Sequence, residues 1–429
     1  MNVEPEPLSR WGAVRELAFS WANVIAPGLS PRAWRWCWGL VGLGIFLRVA
    51  EYLGNRPSWL DEGSLAGCLQ AMSRNGFFLP LKFGQLAAPG FLAIEMVAGR
   101  TLGWGMPALR LFPLVCGVIS MPLMLAVAVR SLRAAAVPVA VALMAVSDDP
   151  IYFASELKQY ETDLVLGLAC VLAGLVAAGQ GGTWRTRLAL GGVGVLSVWL
   201  SHSSAFVLAA VGTTLFTSAL GRRDWRGAGW LVPVGLAWGV SFGAVYAISR
   251  VHLGEPLGMY NFWDFAFPPV PFSALRWVSW WGHRLLFLFV NPLDFGWPLG
   301  ILGALPAVGL FGAGLISIWR RDRRVLGLLM GPLVVGAAAA CARMYPFHGR
   351  LLLYVVPFLL LLIAEGGGWF SDVCSMRARK VMLCALFFFP TLSAGYHVIV
   401  PRSRGDFSTH GDNRPQSLDI DRYWFKYKL

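Results

Sequence analysis

Between Ser58 and Gly67 the sequence reads SWLDEGSLAG, and it begins only a few residues after the first strongly apolar run, Trp36–Leu53. Two adjacent carboxylates, Asp61 and Glu62, therefore stand where a chain would emerge from a bilayer. Downstream, Leu65, Leu69 and Met72 recur at helical spacing, so the acidic pair falls in the first turn of an interfacial amphipathic helix. Capping is the ordinary reason for acids at such a position, because they complement the helix dipole and its unpaired N–H groups. The residues flanking this stretch decide whether more than capping is involved.

Those surroundings are strongly apolar. Of 429 residues, 56% are hydrophobic and only 14% charged, with a mean hydropathy of +0.59. A water-soluble fold of this length does not carry that composition. The 20 Trp and 27 Phe suit interfacial belts and lipid contact, while 49 Gly and 26 Pro suit close helix packing and broken helices. The formal charge of +13 then belongs to membrane-flanking loops, and no nucleic-acid partner is expected. The seven cysteines make neither a disulfide framework nor a metal-ligand spacing. No structural metal and no cofactor is called for, and a divalent cation held by carboxylates stays open.

Apolar runs long enough to cross or nearly cross a bilayer lie at about 36–53, 109–129, 134–149, 163–180, 187–201, 203–220, 228–249, 297–319, 325–342, 351–366 and 381–399. The expectation is an all-α polytopic membrane protein with about eleven transmembrane helices. A further stretch, Ala87–Trp104, is interrupted by Pro89, Glu95 and Arg100 and reads as a membrane-dipping or surface helix of the first outer loop. With that assignment, Arg130, Arg133, Arg185, Arg187, Arg222, Arg223, Arg226, Arg320, Arg321, Arg323, Arg324, Arg377, Arg379 and Lys380 all fall on one side. Short basic loops mark the cytoplasm. Asp61 and Glu62 then face outward, together with Glu156, Asp163, Glu255 and Asp264. The organisation expected is a cytoplasmic segment over 1–35, a retained signal-anchor helix opening a transmembrane domain over 36–400, and a short extracytoplasmic tail over 401–429. The first outer loop covers 54–108.

Further polar motifs follow in order: PLKFGQLAAPG (Pro80–Gly90), GWGMPALRLFPLVCGVIS (Gly103–Ser120), DDPIYFASELKQYETDL (Asp148–Leu164), LSHSSAFVLAA (Leu200–Ala210) and YPFHGRLLLYVVP (Tyr345–Pro357). Their order and sidedness resemble the GT-C membrane glycosyltransferases, the superfamily of protein O-mannosyltransferases and of the transferase that adds aminoarabinose to lipid A. The likeness covers most of the chain. It implies a GT-C fold in a bacterial-type plasma membrane, an extracytoplasmic active site, a sugar donor carried on a polyprenyl phosphate, and an Asp of the first outer loop in catalysis. By the same resemblance Lys82 or Gln85 occupies the position of a phosphate-contacting Lys, and Asp163 that of a second functional Asp.

The chemistry of such a transfer can be matched to residue types. An acceptor hydroxyl or amine must lose a proton as it attacks the anomeric carbon, which calls for a carboxylate in hydrogen-bond reach. Asp61 is the expected base, with Glu62 sharing the work or positioning it. The departing lipid phosphate gathers negative charge and calls for preorganised cations. Lys82, Lys158, Arg343, His348 and Arg350 are the outer-side candidates, with Gln85, Tyr160 and Tyr345 as hydrogen-bonding partners. Each taken singly also reads as an interfacial snorkelling side chain. Glu156 and Glu161 read as solvated or paired with Lys158. His202, alone in a polar hairpin, reads as a hydrogen-bonding residue more readily than as a ligand. Glu255, Trp263 and Asp264 stand in the 250–298 loop, where aromatic platforms suit a sugar acceptor and also suit an interfacial belt.

The acceptor is left open among glycan, lipid and protein. No Gly-rich phosphate loop or Walker pattern occurs, so a nucleotide-sugar donor is disfavoured. A flippase or transporter for lipid-linked saccharides would place its polar groups at span centres, whereas here they gather at the ends. A polymerase or ligase would be expected to carry a large Arg-rich outer loop late in the chain, and a non-enzymatic scaffold gives no reason for the clustered outer charges.

Overall fold

Ser30 opens the first helix by accepting a hydrogen bond from the Ala33 amide at 3.1 Å, with Pro31 following it at the first helical position. The computed structural model describes residues 29–400 apart from 83, 180–182, 254–260, 297–298 and 374. Glu255, most of the N-terminal segment and the tail from Pro401 lie outside the described residues. In chain order the helices are α1 (Pro31–Leu53), α2 (Leu60–Asn75), α3 (Pro89–Leu102), α4 (Met106–Leu109), α5 (Leu111–Ser131), α6 (Val137–Val146) and α7 (Asp148–Phe153). Then come α8 (Tyr160–Ala178), α9 (Trp184–Leu200), α10 (Ser204–Gly221), α11 (Trp225–Gly229), α12 (Leu231–His252) and α13 (Ala274–Phe287). The last are α14 (Ile301–Arg321), α15 (Arg323–Cys341), α16 (Val356–Val373) and α17 (Met376–Ile399), with 3-10 turns at Asp264–Ala266 and Gly349–Val355. No strand occurs among the described residues.

All eleven expected spans coincide with helices. Among the described residues, nine stretches are long and apolar enough to cross a membrane. The other two expected spans are α6, of 10 residues, and α9, of 17 residues. At 1.5 Å per residue α6 reaches only about 15 Å, half the hydrocarbon thickness. It survives in that form because it is packed inside the bundle against α1 and α5.

Helix starts at the basic end are set by side-chain caps. Thr183 accepts from Thr186, Asp224 from Gly227, Asp322 from Arg324 and Val325, and Ser375 from Ala378. At the centre, α16 is buried through 94% of its apolar window, against 17% for the α11–α12 stretch. Its closest neighbour is α14. A Cβ on Gly314 would overlap the Leu362 carbonyl, and one on Gly366 the Leu310 carbonyl, so the two backbones touch. Small residues permit this approach where apolar burial alone gives no drive for helices to associate in lipid.

Helices α2 and α3 build a second, smaller core outside the main bundle, in which Leu65, Leu69 and Met72 pack with Phe91, Leu92 and Met96. The amphipathic spacing of α2 thus faces protein. Helix α3 presses on the end of α9, where a Cβ on Gly90 would stand 2.6 Å from the Trp199 carbonyl oxygen. Glu95, on the buried face of α3, is 0% exposed, and neither of its carboxyl oxygens has a hydrogen-bond partner. Burial pushes it up from 4.5 to about 9.

A carboxyl that stays neutral in the fold up to that pH, but ionises near 4.5 in the unfolded chain, makes stability fall as pH climbs between the two values. Glu95→Gln is expected to raise the unfolding temperature in detergent at neutral pH, by up to about 3 kcal/mol of stability. The gain should vanish below pH 4.5, where the parent carboxyl is neutral in both states. A gain independent of pH would remove Glu95 ionisation as its cause.

Candidate active site

Successive residues of a helix point about 100° apart, and the acidic pair at the head of α2 is divided by that geometry. Glu62 turns inward and is 0% exposed. Its two oxygens receive the Arg110 guanidinium as a fork, Nε at 2.8 Å and Nη2 at 2.7 Å, and one of them also accepts the Leu157 amide at 2.9 Å. Arg110 in turn donates to the Arg56 carbonyl at 2.8 Å. The knot ties the approach to α2, the start of α5 and the loop before α8 to one point. Both Glu62 oxygens are therefore engaged within the scaffold.

Asp61 points the other way, its side chain 21% exposed. Its Oδ2 accepts from Arg350 Nη2 at 2.9 Å and lies 3.9 Å from Lys158 Nζ. Lys158 also donates to Gln85 Oε1, and Gln85 interacts with Asp61. The Arg350 guanidinium lies 5.3 Å from the ring centres of both Trp59 and Tyr160, an arrangement that fixes the fork. Four separate segments thus converge: the head of α2, the Gln85 loop, the Lys158 loop and the turn at Gly349–Val355.

The electrostatics follow from burial and pairing. Burial by itself would raise Asp61, but the charges of Lys158 and Arg350 and the hydrogen bond from Arg350 overcome it, and the carboxyl is held below its usual range. Burial lowers Lys158, opposed by the attraction of Asp61. Glu156 sits behind them, accepting from Trp59 Nε1 at 3.1 Å with Arg56 at 3.9 Å. Burial, then repulsion from Glu62, raises it to about 7. Two basic side chains thus face one ionised, partly exposed carboxylate.

The remaining sequence candidates disperse. Lys82 has an exposed side chain, and among the described residues its backbone bonds the Cys68 sulfur and the Gln85 amide; Lys158 takes the place beside Asp61. The Tyr345 hydroxyl donates to the Leu351 carbonyl at 2.9 Å, and burial raises its pKa well above the ordinary value. Arg343 pairs with Asp264. His348 Nδ1 lies 2.7 Å from Arg284 Nη1, and its ring stacks on Phe287 and meets Phe265 and Trp263. This aromatic patch is tied to the Arg350 turn by the Phe347 amide donating to the Ala266 carbonyl at 2.9 Å. Asp163 interacts with the hydroxyls of Ser201 and Ser203, at the turn between α9 and α10. In that turn His202 bonds Ser249 at 2.8 Å and is lowered to about 4 by burial, then by His252, so it is neutral at physiological pH.

Glu156 and Glu161 are not solvated: both are 0% exposed, Glu156 held as above and Glu161 beside Arg48 across Gly117. Trp59, Arg56 and Arg110 are the site residues that sequence reasoning passes over. Arg110 carried a usable signal, since an arginine at the mouth of a span needs a carboxylate partner. Among the described residues, no group of three or more His, Cys, Asp or Glu side chains is disposed to hold a metal ion.

No protein-family model matches the sequence, and no curated protein matches it. Solved structures do. The chain is similar to ArnT from Cupriavidus metallidurans bound to undecaprenyl phosphate, with a TM-score of 0.55 and 17% identity over 84% of this chain and 64% of that one. It is also similar to the oligosaccharyltransferase AglB from Archaeoglobus fulgidus in complex with an inhibitory peptide and a dolichol-phosphate, with a TM-score of 0.54 and 12% identity over 92% and 60%. A form of the Archaeoglobus enzyme with Zn and sulfate gives a TM-score of 0.52 and 14% identity over 90% and 56%. The chain spans less than two thirds of the length of these proteins. Taken with the helical bundle and the α2–α3 subdomain, the likeness assigns the fold: this is an all-helical polytopic chain that shares its architecture with ArnT and AglB.

Proposed function

We propose that the chain is an integral-membrane glycosyltransferase that moves a sugar from a polyprenyl-phosphate donor to a hydroxyl or amine of a glycan, lipid or protein acceptor. The reading rests on one observation above the rest: in a fold shared with lipid-phosphate-binding membrane proteins, a partly exposed Asp61 is held between Lys158 and Arg350, which come from distant parts of the chain. The acceptor heteroatom would bond to the anomeric carbon while the bond from that carbon to the phosphate oxygen breaks. The acceptor proton passes to Asp61 and the electron pair leaves on the lipid phosphate.

The pairing suggests how the two halves of the reaction are coupled. A carboxylate held low by two cations is a poor proton acceptor. When a donor phosphate draws Arg350 and Lys158 toward itself, Asp61 loses that stabilisation and its basicity rises. Base strength thus appears when the donor is bound. The acceptor would lie along the Trp263, Phe265 and His348 patch, which adjoins the Arg350 turn. The capped arginine-rich ends lie opposite, which by the positive-inside tendency makes this face extracytoplasmic in a plasma membrane of bacterial type.

Asp61→Asn is expected to abolish sugar transfer, measured with a lipid-linked donor and membrane acceptors, while the protein stays folded and inserted; normal transfer would remove Asp61 from the mechanism. Arg110→Ala acts on the scaffold instead. It strands a buried carboxylate and should cost about 3–5 kcal/mol in thermal unfolding, a loss that an unchanged unfolding temperature would refute. Lys158→Ala and Arg350→Ala should each lower kcat/KM for the donor by roughly 100-fold with little change in the acceptor KM. Equal effects on both substrates would mean that these cations support only the fold.

A further inference from the structure

Helix α5 begins next to Arg110 and ends at Ser131, about 30 Å away at 1.5 Å per residue. A second charged construction stands at that far end. Glu365, on α16, is fully buried and receives Arg133 Nε at 3.0 Å, the Arg133 amide at 3.0 Å, Arg321 Nη1 at 3.1 Å and the Ser317 hydroxyl at 2.7 Å. Ser317 also accepts from Arg133 Nη2 at 2.8 Å. The carboxylate thus fixes two guanidinium groups, of which Arg321 also donates through Nη2 to the Ser131 carbonyl; the side chains are 26% and 36% exposed.

These two arginines line a cavity of about 280 Å³ together with Arg320, Ser317, Ile316 and Trp369. Arg320 forms no ion pair or hydrogen bond among the described residues, and it lies next to the anchored Arg321 on the exposed end of α14. Three guanidiniums against one carboxylate leave two positive charges in excess around a space large enough for a small anion. Guanidinium forks match phosphate oxygens. Its apolar flank is Ile316, which is 47% exposed, with Trp369. A free phosphate would use only the arginines, whereas a lipid would also cover that apolar flank.

We propose that this cavity is a binding site for the phosphate headgroup of an anionic phospholipid, separate from the Asp61 site and independent of the proposed transfer reaction. Glu365 sets the orientation of Arg133 and Arg321, and Arg320 supplies the charge that remains for the ligand. Gly366, next to Glu365, lets α14 come close enough to deliver Ser317 and Arg321. The chemistry selects charge and a bilayer setting, so a zwitterionic lipid binds less well.

The test is native mass spectrometry of the full chain in detergent, titrated with phosphatidylglycerol, phosphatidylcholine or inorganic phosphate at matched ionic strength. Preferential retention of phosphatidylglycerol is expected, weakened about fivefold by Arg320→Gln, as for the loss of one membrane-facing cationic contact. Arg324→Gln, which removes the same charge from a side chain paired with Asp322 outside the cavity, should leave retention unchanged. Retention insensitive to Arg320→Gln, an equal loss in Arg324→Gln, or inorganic phosphate binding as well as the lipid would overturn the assignment.

Discussion

The buried fork between Glu62 and Arg110 is the contact on which the Asp61 end of the molecule depends. It fixes the rotation of α2 about its own axis and, through the Leu157 amide and the Arg56 carbonyl, ties three segments to one carboxylate. With Glu62 held, its neighbour has one direction left, toward Lys158 and Arg350. A buried pair of this kind is weak evidence for net stability, since desolvating both ions offsets much of their attraction. Its clearer effect is on specificity of arrangement, because any other rotation of α2 would leave a charge buried alone.

The same logic recurs at each depth. Arg48 lies among the α1, α5 and α8 helices beside Glu161, Arg56 stands between Glu51 and Glu156, and Glu365 gathers Arg133 and Arg321. Charges that would be costly in an apolar bundle are matched, and most of the matches join segments far apart in the sequence. Glu95 departs from this pattern. It is held among apolar side chains without a partner, and its raised pKa keeps it neutral. Neutralisation is the alternative to pairing when a carboxyl is buried.

Much of this arrangement could be read from the sequence, and for a physical reason. Backbone groups in lipid must be satisfied within the segment, so long apolar runs become helices, and the runs beginning near 36 and 381 needed no tertiary information. The basic loops likewise marked one end. Asp61, Gln85, Lys158 and Arg350 were singled out as polar residues at outer span ends, and the structure brings those four together. What sequence could not supply was partner choice. Nothing local distinguishes Lys82 from Lys158, yet one is solvent-exposed and the other stands against Asp61. Glu62 looked equivalent to Asp61 until the 48-residue separation to Arg110 was closed by folding. Tyr345 and His348, expected at the donor phosphate, are instead engaged by Leu351 and Arg284.

The contact between α14 and α16 constrains how a long lipid could reach the interior. Where Gly314 and Gly366 bring two backbones together, no acyl chain can intercalate, and these helices must move as one rigid body. Lateral exchange with the bilayer is thereby excluded from this seam and has to use a flank with looser packing. The stretch through α11 and α12 has most of its surface outside the protein core, so its side of the bundle can part from its neighbours at the smallest loss of packed area.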